Sequence, residues 1–291
     1  TPVSIAVAVR YKEAATSRPA VVHSSLQEGD RDAKLAALDG IDQFSKVEWR
    51  DCPDDWQAPF RPEGIGGYFQ WPPLTDLMPW QHSGCEIKRT WPICHDPKTL
   101  KARWNALIRT KDRASAFKET RDRDIHSECK QISSIKSDTT SINELSIDAP
   151  VPPIVRYAFR SFDRQWVFAD NRLGDYFRPP LWRTHGPSQV YITSLFNHPV
   201  GDGQSLTACC NIPDRHHFRG SYGGKDILPL YRTQDATEAN LPPGILDLLT
   251  KVYHRKLTPE DFLAYVYGVL AHPAFTARFH KELESRELRV P

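Results

Sequence analysis

The sequence predicts an α+β fold: a small twisted mixed sheet with C-terminal helices, preceded by the closing strands and helix of an α/β domain. Three observations carry this reading. Short β-rich runs separated by turn residues recur between residues 154 and 212, as strands of a modest sheet do. Apolar residues at helical spacing fill the stretch from 245 to 283. The chain opens on an alternating β-branched run, residues 3–10, whose hydrophobic edge asks for neighbouring strands. Because the only methionine is Met78, that opening reads as a fragment whose upstream part supplies those neighbours.

In chain order, 20–23 reads as a second short strand, and 30–38 as a helix with Asp30 near its N-cap and Gly40 past its end. Residues 51–92 are dense in Pro, Gly and Trp, a pattern that forbids long regular elements but supplies apolar anchors. Asp96-Pro97 then starts a helix, and Leu100, Trp104, Leu107 and Ile108 mark its apolar stripe. A polar, charge-alternating run leads to Pro150, Pro152 and Pro153. Strands follow at 154–160, 165–169, 190–195 and 206–212. Three helices close the chain: one on Ile245, Leu248, Leu249 and Val252, one capped by Thr258-Pro-Glu-Asp, and one on Phe275, Phe279 and Leu283. These elements divide as 1–50, 51–150 with its single amphipathic helix, and 151–291.

With 40% hydrophobic and 25% charged residues, the composition is that of an ordinary globular protein. No run approaches the length of a membrane span, and the start lacks a signal-peptide layout, so a cytoplasmic protein with no membrane partner is expected. Six cysteines without a CxxC pair suit reduced thiols rather than a disulfide scaffold. The net charge is only +2, but residues 151–225 hold nine basic side chains against five acidic ones. Eight of those nine are Arg, whose planar fork suits phosphate and guanine, so anionic partners are expected there.

Catalytic signatures are missing: no GxxxxGK[ST], GxGxxG, HExxH or GxSxG, and no Asn-Pro-Pro-aromatic tetrapeptide. Trp71-Pro-Pro-Leu74 comes nearest to the last but lacks the Asn. Cys209-Cys210 and His216-His217 supply zinc-type atoms, yet a strand would send the two thiols to opposite faces. The run 214–225 packs Arg215, Arg219 and Lys225 beside Phe218 and Tyr222 on a glycine-ended loop, which suits either a nucleic-acid contact or a solvated turn. Arg160, Arg164, Arg178 and Arg183 sit in two further Arg-aromatic clusters, where Phe159, Phe162 and Trp166 read as core.

Several of these blocks resemble one family. Tyr157-Ala-Phe-Arg-Ser-Phe-Asp-Arg-Gln-Trp-Val, Arg178-Pro-Pro-Leu-Trp-Arg183, Pro213-Asp-Arg-His-His-Phe-Arg-Gly-Ser-Tyr-Gly-Gly, Leu228-Pro-Leu-Tyr231 and Tyr265-Val-Tyr-Gly-Val-Leu-Ala-His-Pro-Ala-Phe275 look like the C-terminal specificity domain of Type ISP restriction-modification enzymes. Asp76-Leu-Met-Pro-Trp-Gln-His-Ser-Gly84 and Lys88-Arg-Thr-Trp-Pro92 resemble the stretch linking the methyltransferase to that domain. Residues 3–10 look like a terminal methyltransferase strand, and Arg289-Val-Pro291 like the start of the family's tail.

The resemblance implies that 1–50 ends an N6-adenine methyltransferase domain, 51–150 links, and 151–291 recognises a short asymmetric site on duplex DNA. It implies S-adenosylmethionine, ATP and Mg for the parent enzyme and no cofactor, metal or catalytic residue in this chain. The DNA contacts expected are Arg160, Arg164, Arg178, Arg183, Arg215, His216, His217, Arg219, Tyr222 and Lys225, with Lys88 and Arg89 on phosphates. Two other classes stay open: a nuclease with Asp214, His216 and His217 around a metal, and a coupler that docks enzyme domains without touching DNA.

Overall fold

The structure, a computed structural model, describes residues 22–26, 29–51, 67–132, 139–196, 200–218, 226–285 and 288–291. The chain forms two compact units, 1–70 and 71–291. In the first, β1 (Val22–His23) pairs antiparallel with β2 (Arg50–Asp51). Helix α1 (Arg31–Asp39) starts where the carboxylate of Asp30 accepts from the Ala33 amide, and it closes at Gly40. The run 3–10 lies outside the described residues.

The second unit opens with the short helix α2 (Leu74–Leu77), strand β3 (Ile93–Cys94) and helix α3 (Pro97–Arg109). Asp96 caps α3 by accepting from the Lys98 and Thr99 amides, and Pro97 fills a first-turn position that needs no donor. All four residues of its expected stripe are buried. A short α4 (Arg113–Phe117) follows. Packing continues across residue 150, where the sequence suggested a boundary. β3 is the edge strand of the sheet built by β4 (Ile154–Arg160) and β5 (Asp163–Phe168), and Trp104 of α3 packs on Phe168.

After the single turn α5 (Pro179–Trp182) come β6 (Tyr191–Ser194), β7 (Leu206–Cys209), β8 (Ile212–Pro213) and β9 (Asp226–Pro229). The strand expected over 206–212 is in fact two. β7 pairs with β6 in the three-stranded sheet β7-β6-β9, and after Cys210 and Asn211 the chain crosses to the four-stranded sheet β3-β5-β4-β8, where β8 runs parallel to β4. A core of Tyr157, Val167, Phe177, Tyr191, Ile212 and Ile227 joins residues of the two sheets.

The three closing helices are α6 (Ile245–Tyr253), α7 (Pro259–Leu270) and α8 (Pro273–Arg278). Thr258 and Asp261 form a reciprocal capping box at α7, which buries Phe262, Leu263, Val266 and Leu270, while Tyr265 stays 47% exposed. α6 has the apolar stripe the sequence suggested but buries none of its residues. Among the described residues no helix is long and apolar enough to cross a membrane.

Candidate nucleic-acid interface

Beyond β8 the chain is threaded between the end of β4 and the segment 84–86. The Asp214 amide donates to the Ala158 carbonyl (2.9 Å), Cys85 to Pro213 (3.0 Å) and Arg215 to Cys85 (2.7 Å). Gly84 permits this approach, because a Cβ there would lie 2.7 Å from the Arg215 nitrogen. Asp214, 4% exposed, is the node of the region. Its Oδ1 accepts from the Arg160 guanidinium (2.8 Å) and the His216 amide (2.8 Å), and its Oδ2 from the Tyr157 hydroxyl (2.7 Å). Burial pushes its carboxyl pKa up against the opposing pull of these partners. The Tyr157 hydroxyl is raised too, by burial first and by the Asp214 charge second.

Several of the expected contact residues are held by the protein itself. Arg160 also lies over the Phe159 ring (3.9 Å), and Arg215 pairs with Glu86. Arg89 donates to the carbonyls of Leu173 (3.2 Å), Phe117 (2.5 Å) and Lys118 (2.9 Å), and burial lowers its pKa to about 10. It staples three segments together, so its guanidinium faces carbonyls rather than a ligand. His217 is likewise inward: its Nδ1 lies 2.9 Å from the Thr193 hydroxyl, and its own carbonyl accepts from Ser161 (2.6 Å). Burial, with Arg160 and Arg164 adding to it, lowers the His217 pKa to about 4.

The remaining cations lie nearer solvent. The β4–β5 register pairs Arg156 with Trp166 and Ala158 with Arg164, which puts both arginines on one face of the hairpin. Arg156 covers the Trp166 ring at 4.3 Å. Arg164 and Arg183 are exposed, and neither has a carboxylate within ion-pair distance among the described residues. Lys88 is exposed, 3.5 Å from Asp122, and both it (4.6 Å) and Arg178 (4.9 Å) lie over the Tyr176 ring. Both take left-handed backbone, at φ 57° and 59°, which an L-residue adopts only where its surroundings hold it there. Arg219, Tyr222 and Lys225 lie outside the described residues.

The metal constellation does not assemble. Asp214 uses both oxygens on Arg160, Tyr157 and His216, and the described residues contain no group of three or more His, Cys, Asp or Glu placed to hold an ion. Cys209, the last residue of β7, is buried, and Cys210, in the crossover that follows, is exposed.

Residues 76–291 match the Type ISP C-terminal specificity domain. The chain belongs to that family. Among the solved structures that share its fold are two bound to DNA. One is a DrdV–DNA complex seen by cryo-electron microscopy, with TM-score 0.52 and 18% identity over 89% of this chain and 27% of that one. The other is the ATP-dependent Type ISP restriction-modification enzyme LlaBIII bound to DNA, with TM-score 0.51 and 14% identity over 84% of this chain and 17% of that one. The chain thus spans between 17% and 27% of these proteins. Comparison with curated proteins finds no match.

Sequence reasoning missed two features of this specificity domain. Phe162, expected in the core, is 96% exposed, because Ser161 and Phe162 are the whole turn between β4 and β5; two β-runs separated by so few residues were the available signal. Asn240 is fully buried, donating to the Trp80 (2.8 Å) and Pro229 (3.0 Å) carbonyls and accepting from the Trp80 amide (2.8 Å). A lone Asn in a loop carries no sequence signal for that role.

Proposed function

We propose that this specificity domain binds duplex DNA at a short asymmetric site and supplies sequence choice to a single-chain Type ISP restriction-modification enzyme. Adenine-N6 methylation and ATP-dependent cleavage belong, in this reading, to other domains of the polypeptide. S-adenosylmethionine, ATP and Mg are assigned to those domains and none to this chain. Residues 1–50 are read as the end of the methyltransferase domain, the enzyme as cytoplasmic, and that domain as the same-chain partner. The observation that carries the proposal is the family match over 76–291; the two structures described above, which share the fold, are of proteins bound to DNA.

The exposed cations are the contacts this reading assigns. Arg156, Arg164 and Arg183 present guanidinium groups to solvent, ready to displace counterions from phosphates and to read guanine edges. Lys88 and Arg178, close to the Tyr176 ring, add positive charge from a braced backbone. The Asp214 node supports the β4–β5 hairpin from beneath and is a positioning group rather than a contact.

The test is a titration of the purified chain with duplex DNA at several salt concentrations. With about six phosphates neutralised, log affinity falls against log salt with a slope of about −5. Affinity that stays flat between low and physiological salt overturns the proposal. One observation favours docking as an additional role: Leu248 (61%), Val252 (61%) and Tyr253 (66%) of α6 are exposed together. A coupler with no DNA role would leave every duplex unbound.

A further inference from the structure

Phe162 has more accessible surface, for its size, than any other large hydrophobic residue among those described; the next, Phe44, is 70% exposed against its 96%. Isolated exposed apolar side chains are common and mean nothing by themselves. Four features set this one apart. The two-residue turn that carries it has no positive φ and no chemical need for an aromatic, since Gly, Asn, Asp and Ser serve such positions best. The register of the hairpin shifts between Ala158 and Arg160, a bulge of the kind that re-aims a tip. The tip is fixed rather than loose: the Ser161 hydroxyl donates to the His217 carbonyl (2.6 Å), Arg160 is tied to Asp214 (2.8 Å), and the Gln165 amide donates to Asp163 (2.5 Å). Arg164 stands exposed two residues away, and Arg156 lies on the same sheet face as Arg164.

A bare phenyl ring on a fixed turn, with the exposed Arg164 two residues along the chain, is costly in water and well suited to one kind of partner. A polyanion with apolar, stackable planes in its interior satisfies both halves, the guanidiniums on phosphate and the ring on a base. We infer that Phe162 is a wedge that enters a groove of duplex DNA and stacks on a base at a locally opened step. This rests on the DNA-binding reading above and adds the residue that deforms the duplex. Unstacking a step costs a few kcal/mol, which contacts to the bent duplex offset. Flexible pyrimidine–purine steps cost least to open, so a wedge contributes preference at a position where no hydrogen bond is made.

The test uses the whole chain and begins by selecting bound duplexes from a randomised pool of duplexes about three helical turns long. On a selected duplex, 2-aminopurine is placed at successive positions and its fluorescence followed on binding. Wild type brightens the probe at one step; Phe162→Ala loses that signal and about tenfold in affinity, the equivalent of ~1.4 kcal/mol, while Phe162→Trp keeps both. Phe162→Ala leaves the salt slope unaltered because no charge is removed, whereas Arg164→Ala lowers its magnitude by about 0.9. Equal affinity and equal brightening for wild type and Phe162→Ala overturn the wedge and leave DNA binding standing. If the wild-type chain enriches no duplex and binds none, DNA binding itself falls and the wedge with it. The side chain is nearly all in solvent, so the alanine variant keeps the wild-type fold, as its circular dichroism will report.

Discussion

Arginines of two kinds share this domain: some end on buried or half-buried carboxylates, and others, Arg156 and Arg164 of the β4–β5 hairpin among them, are exposed. Arg160 and Arg215 end on the carboxylates of Asp214 and Glu86, and Arg172 is buried on Asp170 at 2.7 Å. Arg156 and Arg164, drawn from the same basic stretch, are exposed. Each arginine of either group adds the same charge to residues 151–225, but the two groups do not add equally to the field a ligand meets. A carboxylate within hydrogen-bond distance cancels most of an arginine's reach, and a buried carboxylate fixes the arginine in place as well. The inner group builds the platform and the outer group uses it.

The sharpest way to break that contrast is to remove the carboxylate at its centre. Asp214→Ala leaves Arg160 without its ion pair and the Tyr157 hydroxyl, fully buried, with only the Cys85 carbonyl at 3.4 Å to accept from it. The Arg160 side chain is 35% exposed and water can take the place of its partner, so the loss is that of weakening the hydrogen bonds of a buried group, about 1–3 kcal/mol, and urea unfolding of the variant against wild type measures it. A loss below about 1 kcal/mol, the range of an ordinary surface pair, would show that the node is ornamental and that Arg160 belongs with the outer group.

A second test takes the histidine beneath the hairpin. The folded pKa of His217 is lowered to about 4 from an ordinary 6.5, so the folded protein keeps the ring neutral where the unfolded chain protonates it. Stability from this group is complete above pH 6.5 and is lost as pH falls through the window down to 4, by up to about 3 kcal/mol at 1.36 kcal/mol per pH unit. Asp214 works in the opposite sense, since its raised pKa favours the protonated folded state as pH falls. The difference between wild type and His217→Gln, measured by denaturation from neutral pH down through that window, isolates the histidine. Parallel curves would put its ring in solvent with the outer group.

Much of this architecture was legible in the sequence because it is local. Asp96-Pro97 and Thr258-Pro-Glu-Asp each carry their helix start within a few residues, and β4 needed only its short run of β-branched and aromatic residues after Pro153. The partners of the arginines were not legible, because they lie far along the chain: Arg215 meets Glu86 across 129 residues and Arg160 meets Asp214 across 54. No periodicity encodes such a pairing, so charge counting cannot tell Arg89, Arg164 and Arg215 apart. The single strand expected over 206–212 failed for a related reason. Thr207 and Ile212 favour a strand at either end, Asn211 between them is a weak break signal, and only the tertiary fold decides that Cys209 ends one sheet and Ile212 begins another. His217 is the same lesson at the site: the residues before it, Asp214, Arg215 and His216, are polar, while its neighbours in space include Thr193 and Ser161 of the hairpin turn.

The smallest effect on stability belongs to the outer group, and it is the one that ties the contrast to function. Arg164→Ala removes an exposed side chain and keeps the main-chain carbonyl that accepts from Arg156 at 3.5 Å, so folding stability changes by less than about 0.5 kcal/mol. Its effect on DNA is different in kind. If the guanidinium sits on a phosphate, its removal lowers the magnitude of the salt slope by about 0.9 and weakens every duplex alike. If it reads a base edge, the substitution costs roughly 1–3 kcal/mol on the selected duplex and nearly nothing on random sequence. Arg215→Ala is the matched control: with its guanidinium held by Glu86, it lowers stability and leaves the slope as it was. Titrations of both variants on selected and random duplexes, with unfolding curves alongside, separate the two arginine groups on two axes at once. The division into platform and contact fails if Arg215→Ala changes the salt slope as much as Arg164→Ala does.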